Sequence, residues 1–139
     1  MKRELSIPSH LKYLNEVELF VRSFLEDEGL PIDQLGIIVL TVCETVNNAI
    51  THGNHQNLDK QVQVRIRYTD YQLFVEVEDE GKGFNFHEIP DPTKEKNIKN
   101  ERGRGIFIVK NLADHVEFAN NGSLVKIKFK FSREHQLLL

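Results

Sequence analysis

The chain has 139 residues, which is the length of one domain with a buried core. Apolar residues make up 40% and charged residues 28%, and the net charge of −3 lacks the basic surplus typical of nucleic-acid binding. Cys43 is the only cysteine, which excludes an intrachain disulfide and favours a reducing compartment. The N-terminus lacks a signal-peptide pattern, and no uninterrupted apolar run approaches the roughly 20 residues of a membrane span. We therefore expect a cytoplasmic protein.

The first third of the chain has the pattern of a short strand followed by two helices. Residues 5–7 favour a strand, and Ser9 is a plausible N-cap for the first helix. Gly29 is expected to end that helix, and a second one begins near Asp33 and runs to about Gly53. Apolar residues recur at three- and four-residue steps in both segments, at Leu11, Leu14, Val17, Phe20, Val21, Phe24 and Leu25, and at Leu35, Ile38, Val39, Val42, Cys43, Val46 and Ile50.

The rest of the chain alternates apolar and polar residues, which indicates half-buried strands. Residues 62–68 and 73–77 form a predicted hairpin, helical spacing returns at 106–112, and two further strands begin near 116 and 124. The order predicts an α/β (α+β) two-layer sandwich: a mixed, mostly antiparallel sheet with helices on one face, in a single domain. The tail 133–139 is expected either to fray or to pack on a partner.

The second predicted helix carries a polar side that is almost free of charge. Glu44 and Asn48 lie four residues apart and therefore on one side of the helix. An ordinary solvated helix face would carry Lys and Glu pairs, but Asp33 and Glu44 are the only charged side chains between 33 and 53. This composition favours the wall of a cleft. The Asn48 amide oxygen is a suitable Mg²⁺ ligand, and Glu44 could accept a proton from a hydroxyl group or water that attacks a phosphate.

Two glycine-bearing segments have the character of nucleotide-binding turns. Asp79 follows a strand and precedes Gly81 and Gly83, so backbone could approach a flat ring while the carboxylate accepts a hydrogen bond from adenine. The alternative is an ordinary turn after a strand. Gly103 and Gly105 stand at a predicted helix N-terminus, where free N–H groups and the helix dipole favour phosphate. The flanking Arg102 and Arg104 either add positive charge there or are simply solvated.

Other site classes fit poorly. The sequence contains no P-loop and no dinucleotide-binding glycine fingerprint. Its six histidines lack metal-ligand spacing, and no serine occupies a nucleophile elbow. The segment from Asn85 to Arg102 is irregular and contains two prolines, which is typical of a lid or a disordered loop.

In this order, the segments resemble the N, G1 and G2 boxes of the GHKL ATPases, which include gyrase, histidine kinases and MutL. Within that superfamily, the chain is most similar to the small bacterial anti-sigma factor serine/threonine kinases. Glu44-x-x-x-Asn48-Ala49 with His52-Gly53 resembles the N box, Asp79-x-Gly81-x-Gly83 the G1 box, and Gly103-x-Gly105 the G2 box. The pair Gly122-Ser123 is similar to the Gly-Thr pair that closes the adenine pocket.

The resemblance implies a Bergerat-type ATP-binding fold with an ATP lid at about 85–104. Glu44 would be the general base, Asn48 would hold Mg²⁺, and Asp79 would bind the adenine amino group directly and through water shared with Ser123. The implied residues that contact ATP or ADP are Asn48, His52, Asp79, Gly81, Gly83, Thr93, Lys94, Arg102, Gly103, Arg104, Gly105, Ile106 and Ser123.

The resemblance also implies a function. The family's kinases phosphorylate a small anti-anti-sigma-type antagonist protein, sequester a sigma factor and often form homodimers. Arg22 lies near the position of a partner-contacting arginine on the first helix. Two other interpretations remain open at this point: a protein-binding module that uses nucleotide only as a switch, and an ATPase that hydrolyses ATP without an acceptor protein. We expect no direct binding to nucleic acid or membrane.

Overall fold

The computed structural model describes residues 1–81 and 113–132, in which two helices lie on one face of a five-stranded sheet. The elements are β1 (Lys2–Pro8), a 3-10 turn (Leu11–Tyr13), α1 (Leu14–Asp27), α2 (Ile32–Asn48), a π-helical turn (Ala49–Gly53), β2 (Gln61–Thr69), β3 (Gln72–Glu78), β4 (His115–Ala119), a second 3-10 turn (Asn120–Gly122) and β5 (Leu124–Lys130). The predicted lid, the helix at 106–112 and the tail 133–139 lie outside the described residues.

The sheet has the strand order β1-β2-β3-β5-β4, and each of these described pairings is antiparallel. The β2–β3 hairpin turns at Asp70 and Tyr71, whose φ angles of 53° and 60° suit the tight turn predicted there. Helix α1 packs over β1 and β2, and α2 packs over β3. The predicted α+β two-layer sandwich is therefore confirmed.

The two faces of the sheet differ because strand side chains alternate. Val62, Val64 and Ile66 of β2 are buried under the helices, whereas Gln63 and Arg67 are exposed on the open face. The open face carries a row of side chains with alternating charge, one from each strand, at Glu4, Arg65, Glu76, Lys126 and Glu117. Opposite charges in directly paired positions favour this register.

The helices bury the apolar stripes that the sequence predicts. Helix α1 buries Val17, Val21 and Phe24 and ends at Asp27. Gly29 follows two residues later, and its φ of +69° is a left-handed conformation that glycine adopts without strain. Helix α2 buries a parallel stripe that includes Val42. Together they close one hydrophobic core against the sheet.

The predicted N-cap role of Ser9 is wrong. The Ser9 side chain is fully buried, and its Oγ donates to the carbonyl oxygen of Lys60 at 2.6 Å. His10 caps the first turn instead, and its Nδ1 accepts from the backbone N of Lys12 at 3.0 Å. The sequence-distant bond to Lys60 takes the hydroxyl proton, so Ser9 joins the end of β1 to the start of β2.

The segment 33–53 is long and apolar enough to cross a membrane by length and composition alone, and 44% of its most apolar window is buried within the fold. The core helix of a soluble protein meets the same criterion. Here the buried side of the helix packs on the sheet, and the half-buried side carries Glu44 and Asn48.

Burial predicts different costs for one substitution at two positions. Ile66 is 1% exposed beneath the helices, so Ile66→Val should lower the free energy of unfolding by about 1 kcal/mol through loss of a packed methylene. Ile37 is 45% exposed on α2, and Ile37→Val should change it by less than about 0.5 kcal/mol. Urea unfolding followed by circular dichroism measures both. Equal losses would contradict the assigned core.

Candidate functional site

The candidate site begins on the half-buried side of α2. Glu44 and Asn48 are half-buried one helical turn apart, and His52 is half-buried four residues later, in the turn that follows α2. At Ala49 the helix widens into the π-helical turn, which the backbone N of Asn54 closes by donating to the Ala49 carbonyl oxygen at 2.8 Å. Single π-turns of this kind are frequent at functional sites because they re-aim the side chains that follow.

Two polar residues of α2 lie elsewhere. Thr41 and Thr45 are buried, and their hydroxyls donate to the carbonyl oxygens of Ile37 and Thr41 at 2.7 and 2.8 Å. They therefore belong to the inner side of the helix rather than to its half-buried side. A threonine hydroxyl that bonds to a carbonyl oxygen of its own helix can be buried without leaving an unpaired polar group.

The turn after β3 fixes Asp79 through its backbone and its side chain. The backbone N of Asp79 donates to the carbonyl oxygen of Ser123 at 2.9 Å, and the Oδ1 atom accepts from the backbone N of Gly81 at 2.7 Å. Asp79 is 8% exposed. Ser123 is also buried, and its Oγ donates to the carbonyl oxygen of Asn120 at 2.9 Å. The predicted pair Asp79 and Ser123 is therefore adjacent.

The end of the helix and the turn after β3 are in direct contact. A Cβ atom at Gly53 would overlap the Asp79 carboxylate, and a Cβ atom at Gly81 would overlap the Gly53 carbonyl group. Both positions therefore require glycine for the observed spacing. This contact joins two of the three predicted motifs, although they lie more than 20 residues apart in the sequence.

Asn54 is a further residue of this site, and the sequence analysis missed it. It is buried, and its side chain bonds to Ser9, to Gln61 and to the backbone of Glu80. A polar residue just after a helix end is ordinary in a sequence, and the bonds to Ser9 and Glu80 connect it to distant parts of the chain. No local pattern could have distinguished it.

Cys43 lies beside Glu44 but is not a candidate nucleophile. Burial, followed by the nearby carboxylates of Glu18 and Glu44, raises the pKa of the thiol to about 11, and Arg22 offsets this only partly. The thiol thus stays protonated at neutral pH. Cys43 is half-buried against the core, in agreement with its predicted packing role.

The described residues suit a divalent cation that brings most of its own ligands. Within 1–81 and 113–132, no three His, Cys, Asp or Glu side chains lie close enough to form a metal cluster. Mg²⁺ commonly takes only one or two protein ligands and completes its shell with phosphate oxygens and water. A single half-buried amide oxygen such as that of Asn48 fits this mode.

The remaining predicted site residues lie outside the described part of the chain. They are Gly83, Thr93, Lys94, Arg102, Gly103, Arg104, Gly105 and Ile106. The structure thus brings together the end of α2, the Asp79 turn and Ser123.

Comparison with known protein families identifies the family of the chain. The family described as the histidine kinase-like ATPase domain matches residues 7–129, which is most of the chain. The chain therefore belongs to the histidine kinase-like ATPase domain family.

Several known proteins are similar to the chain along most of its length. The chain is 29% identical to the anti-sigma F factor of Bacillus velezensis, with 99% of each chain covered. It is 22% identical to the serine-protein kinase RsbW of Bacillus subtilis, with 92% of this chain and 84% of that one covered. A solved structure of the RsbU and RsbW domains of Rv1364c from Mycobacterium tuberculosis has the same fold. Its TM-score is 0.68 at 16% identity, with 96% of this chain and 33% of that one covered.

Glycine substitution tests the contact between the motifs. Gly53→Ala should destabilise the protein and displace Asp79, because the added Cβ overlaps the carboxylate. Gly36→Ala is the control, since Gly36 is an exposed α2 residue with nothing within 4 Å of an added Cβ. It should stabilise the protein by about 0.5–1 kcal/mol through helix propensity. Thermal unfolding of both variants measures the difference, and a Gly53→Ala protein as stable as wild type would contradict the contact.

Proposed function

We propose that this chain is an ATP-dependent serine/threonine-protein kinase and anti-sigma factor of a bacterial partner-switching system. Its substrate is a Ser or Thr hydroxyl on a small antagonist protein of the anti-anti-sigma type. The observation that carries the proposal is the contact between the end of α2 and the Asp79 turn, because it joins a carboxylate–amide helix face to a buried carboxylate. Relatives named anti-sigma F factor and serine-protein kinase RsbW support the choice of reaction.

Asp79 recognises adenine in this proposal. A buried carboxylate accepts hydrogen bonds but cannot donate one, so it favours the exocyclic amino group of adenine over the keto group of guanine. Ser123 joins this end of the site through water, and Gly81, Gly83, Gly103 and Gly105 let the backbone approach the nucleotide. His52 contacts the nucleotide from the helix end. The proposed set is completed by residues of the predicted lid and of the helix predicted after it, namely Thr93, Lys94, Arg102, Arg104 and Ile106.

Asn48 and Glu44 act at the phosphate end of the site. The Asn48 amide oxygen would hold Mg²⁺, which would neutralise negative charge on the phosphates. Glu44 lies one turn earlier on the same side of α2 and accepts the proton of the attacking Ser or Thr hydroxyl. The hydroxyl oxygen then forms a bond to the γ-phosphorus, the bond between that phosphorus and the β–γ bridging oxygen breaks, and ADP leaves.

The partners follow from the same class. The unphosphorylated antagonist binds the kinase and frees the sigma factor that the kinase otherwise sequesters. The protein acts as a homodimer in the cytoplasm, without binding nucleic acid or membrane directly. A binding module without phosphoryl transfer is the alternative, and the serine-protein kinase among the relatives argues against it.

Removing the general base separates a kinase from a binding module. Glu44→Gln keeps the size of the side chain but cannot accept the hydroxyl proton, so phosphoryl transfer to the co-encoded antagonist should fall about 100-fold or more. ADP affinity should stay within about twofold, because the carboxylate acts on the hydroxyl rather than on the adenine. Single-turnover transfer of ³²P and isothermal titration measure the two quantities.

The control for this experiment is Glu26→Gln on the exposed side of α1, which should leave both quantities unchanged. Undiminished transfer by Glu44→Gln would refute the assigned base. Wild-type protein that binds ATP but transfers no phosphate to the antagonist would favour the binding module, and ATP turnover without an acceptor would favour a hydrolysing ATPase.

Asp79→Asn tests the adenine assignment. Replacing one carboxylate oxygen by an amide should weaken ADP binding by about 1–3 kcal/mol, or roughly 5- to 150-fold, because a charge-assisted hydrogen bond is lost. Asp59→Asn removes an exposed carboxylate from the loop before β2 and should have no effect. Isothermal titration with ADP measures both variants, and unchanged affinity in Asp79→Asn would refute the assignment.

A further inference from the structure

The side chain of Asn54 connects three separate segments of the chain. It is 1% exposed, and its Nδ2 donates to Ser9 Oγ at 2.9 Å and to the carbonyl oxygen of Gln61 at 3.0 Å. Its Oδ1 accepts from the backbone N of Glu80 at 2.8 Å. The orientation of the amide is unambiguous, because a carbonyl oxygen can only accept and a peptide N–H can only donate.

These bonds fix the backbone on both sides of Asp79. The peptide before Asp79 is held by the bond from its N to the Ser123 carbonyl oxygen, and the peptide after it is held by the bond from Glu80 N to Asn54. The bond from Gly81 N to Oδ1 then orients the carboxylate itself. With both flanking peptides anchored to different elements, the direction of the Asp79 side chain is determined by Asn54 and Ser123 together.

Asn54 also fixes the end of α2. Its backbone N closes the π-helical turn at Ala49, and its neighbour Gly53 lies against the Asp79 carboxylate. Asn54 therefore connects two elements: the helix on which Asn48 lies and the turn on which Asp79 lies. A shift of Asn54 would move these two groups relative to each other.

We propose that Asn54 is a positioning residue that sets adenine specificity by holding the Asp79 carboxylate in line with the exocyclic amino group of the base. The inference rests on the proposed function, since it assumes that Asp79 meets adenine. Asn54 itself does not touch the nucleotide. Asn54 acts by fixing the peptide between Asp79 and Glu80. A general loss of stability would weaken binding of both nucleotides and would not change their relative affinity.

The test compares the affinities for ADP and for inosine diphosphate, which carries a keto group where adenine has the amino group. In wild type Asp79 should favour ADP strongly, because a carboxylate repels the keto oxygen. Asn54→Ala should reduce the ratio of the two dissociation constants by about tenfold, as the carboxylate loses its alignment. Asn54→Ser, with a side chain one bond shorter, should reduce it as well and is the second variant if the alanine protein does not fold.

Ser9→Ala is the matched control. It removes a buried partner of the Asn54 amide just after β1 but leaves the bond from Glu80 N to Asn54 in place. It should lower the melting temperature while keeping the ADP to inosine diphosphate ratio within about twofold of wild type.

The outcomes of these measurements decide whether Asn54 has this role. A ratio that falls in the Asn54 variants and persists in Ser9→Ala supports the inference. A ratio that persists in Asn54→Ala or Asn54→Ser, or that falls equally in Ser9→Ala, overturns it while the proposed function stands. Wild-type protein that binds neither nucleotide overturns the proposed function and this inference with it.

Discussion

The site depends on the contact between Gly53 and the Asp79 carboxylate. Because residue 53 is glycine, no side chain lies between the helix end and the Asp79 carboxylate. The carboxylate therefore packs directly against the backbone of Gly53. The carboxylate is held by the N–H of Gly81, and its peptide is tied to Ser123. Such an acid is pre-oriented, so a ligand that donates to it does not have to bear the cost of ordering it.

The composition of α2 differs between its two sides. Its inner side is apolar where it packs on the sheet, and its half-buried side carries short polar groups such as Asn48 together with the carboxylate of Glu44. Beyond Asn48 the chain reaches Gly53, where the helix end meets the Asp79 turn. The chain thus combines the fold of the histidine kinase-like ATPase domain family with direct contact between these two motifs.

Sequence patterns predicted the fold to a large extent because its elements are strongly periodic. Local sequence neighbours determine three of its features: the alternation in β2 and β3, the apolar stripes of α1 and α2, and the end of α1 just before Gly29. Ser9 was misassigned and Asn54 was missed for the opposite reason. Their bonds reach partners about 50 residues away, and local periodicity carries no information about such bonds.

The π-helical turn decides which residue faces the buried acid. It holds one more residue than an α-helical turn would, so the residues at its end face about 100° away from where a regular helix would aim them. A regular α-helical turn of the same sequence would therefore bring the side chain of His52 to the place where Gly53 lies against Asp79. The widened turn is thus the reason that a glycine meets the carboxylate, whereas insertions in the exposed loop before β2 leave the facing of the helix unchanged.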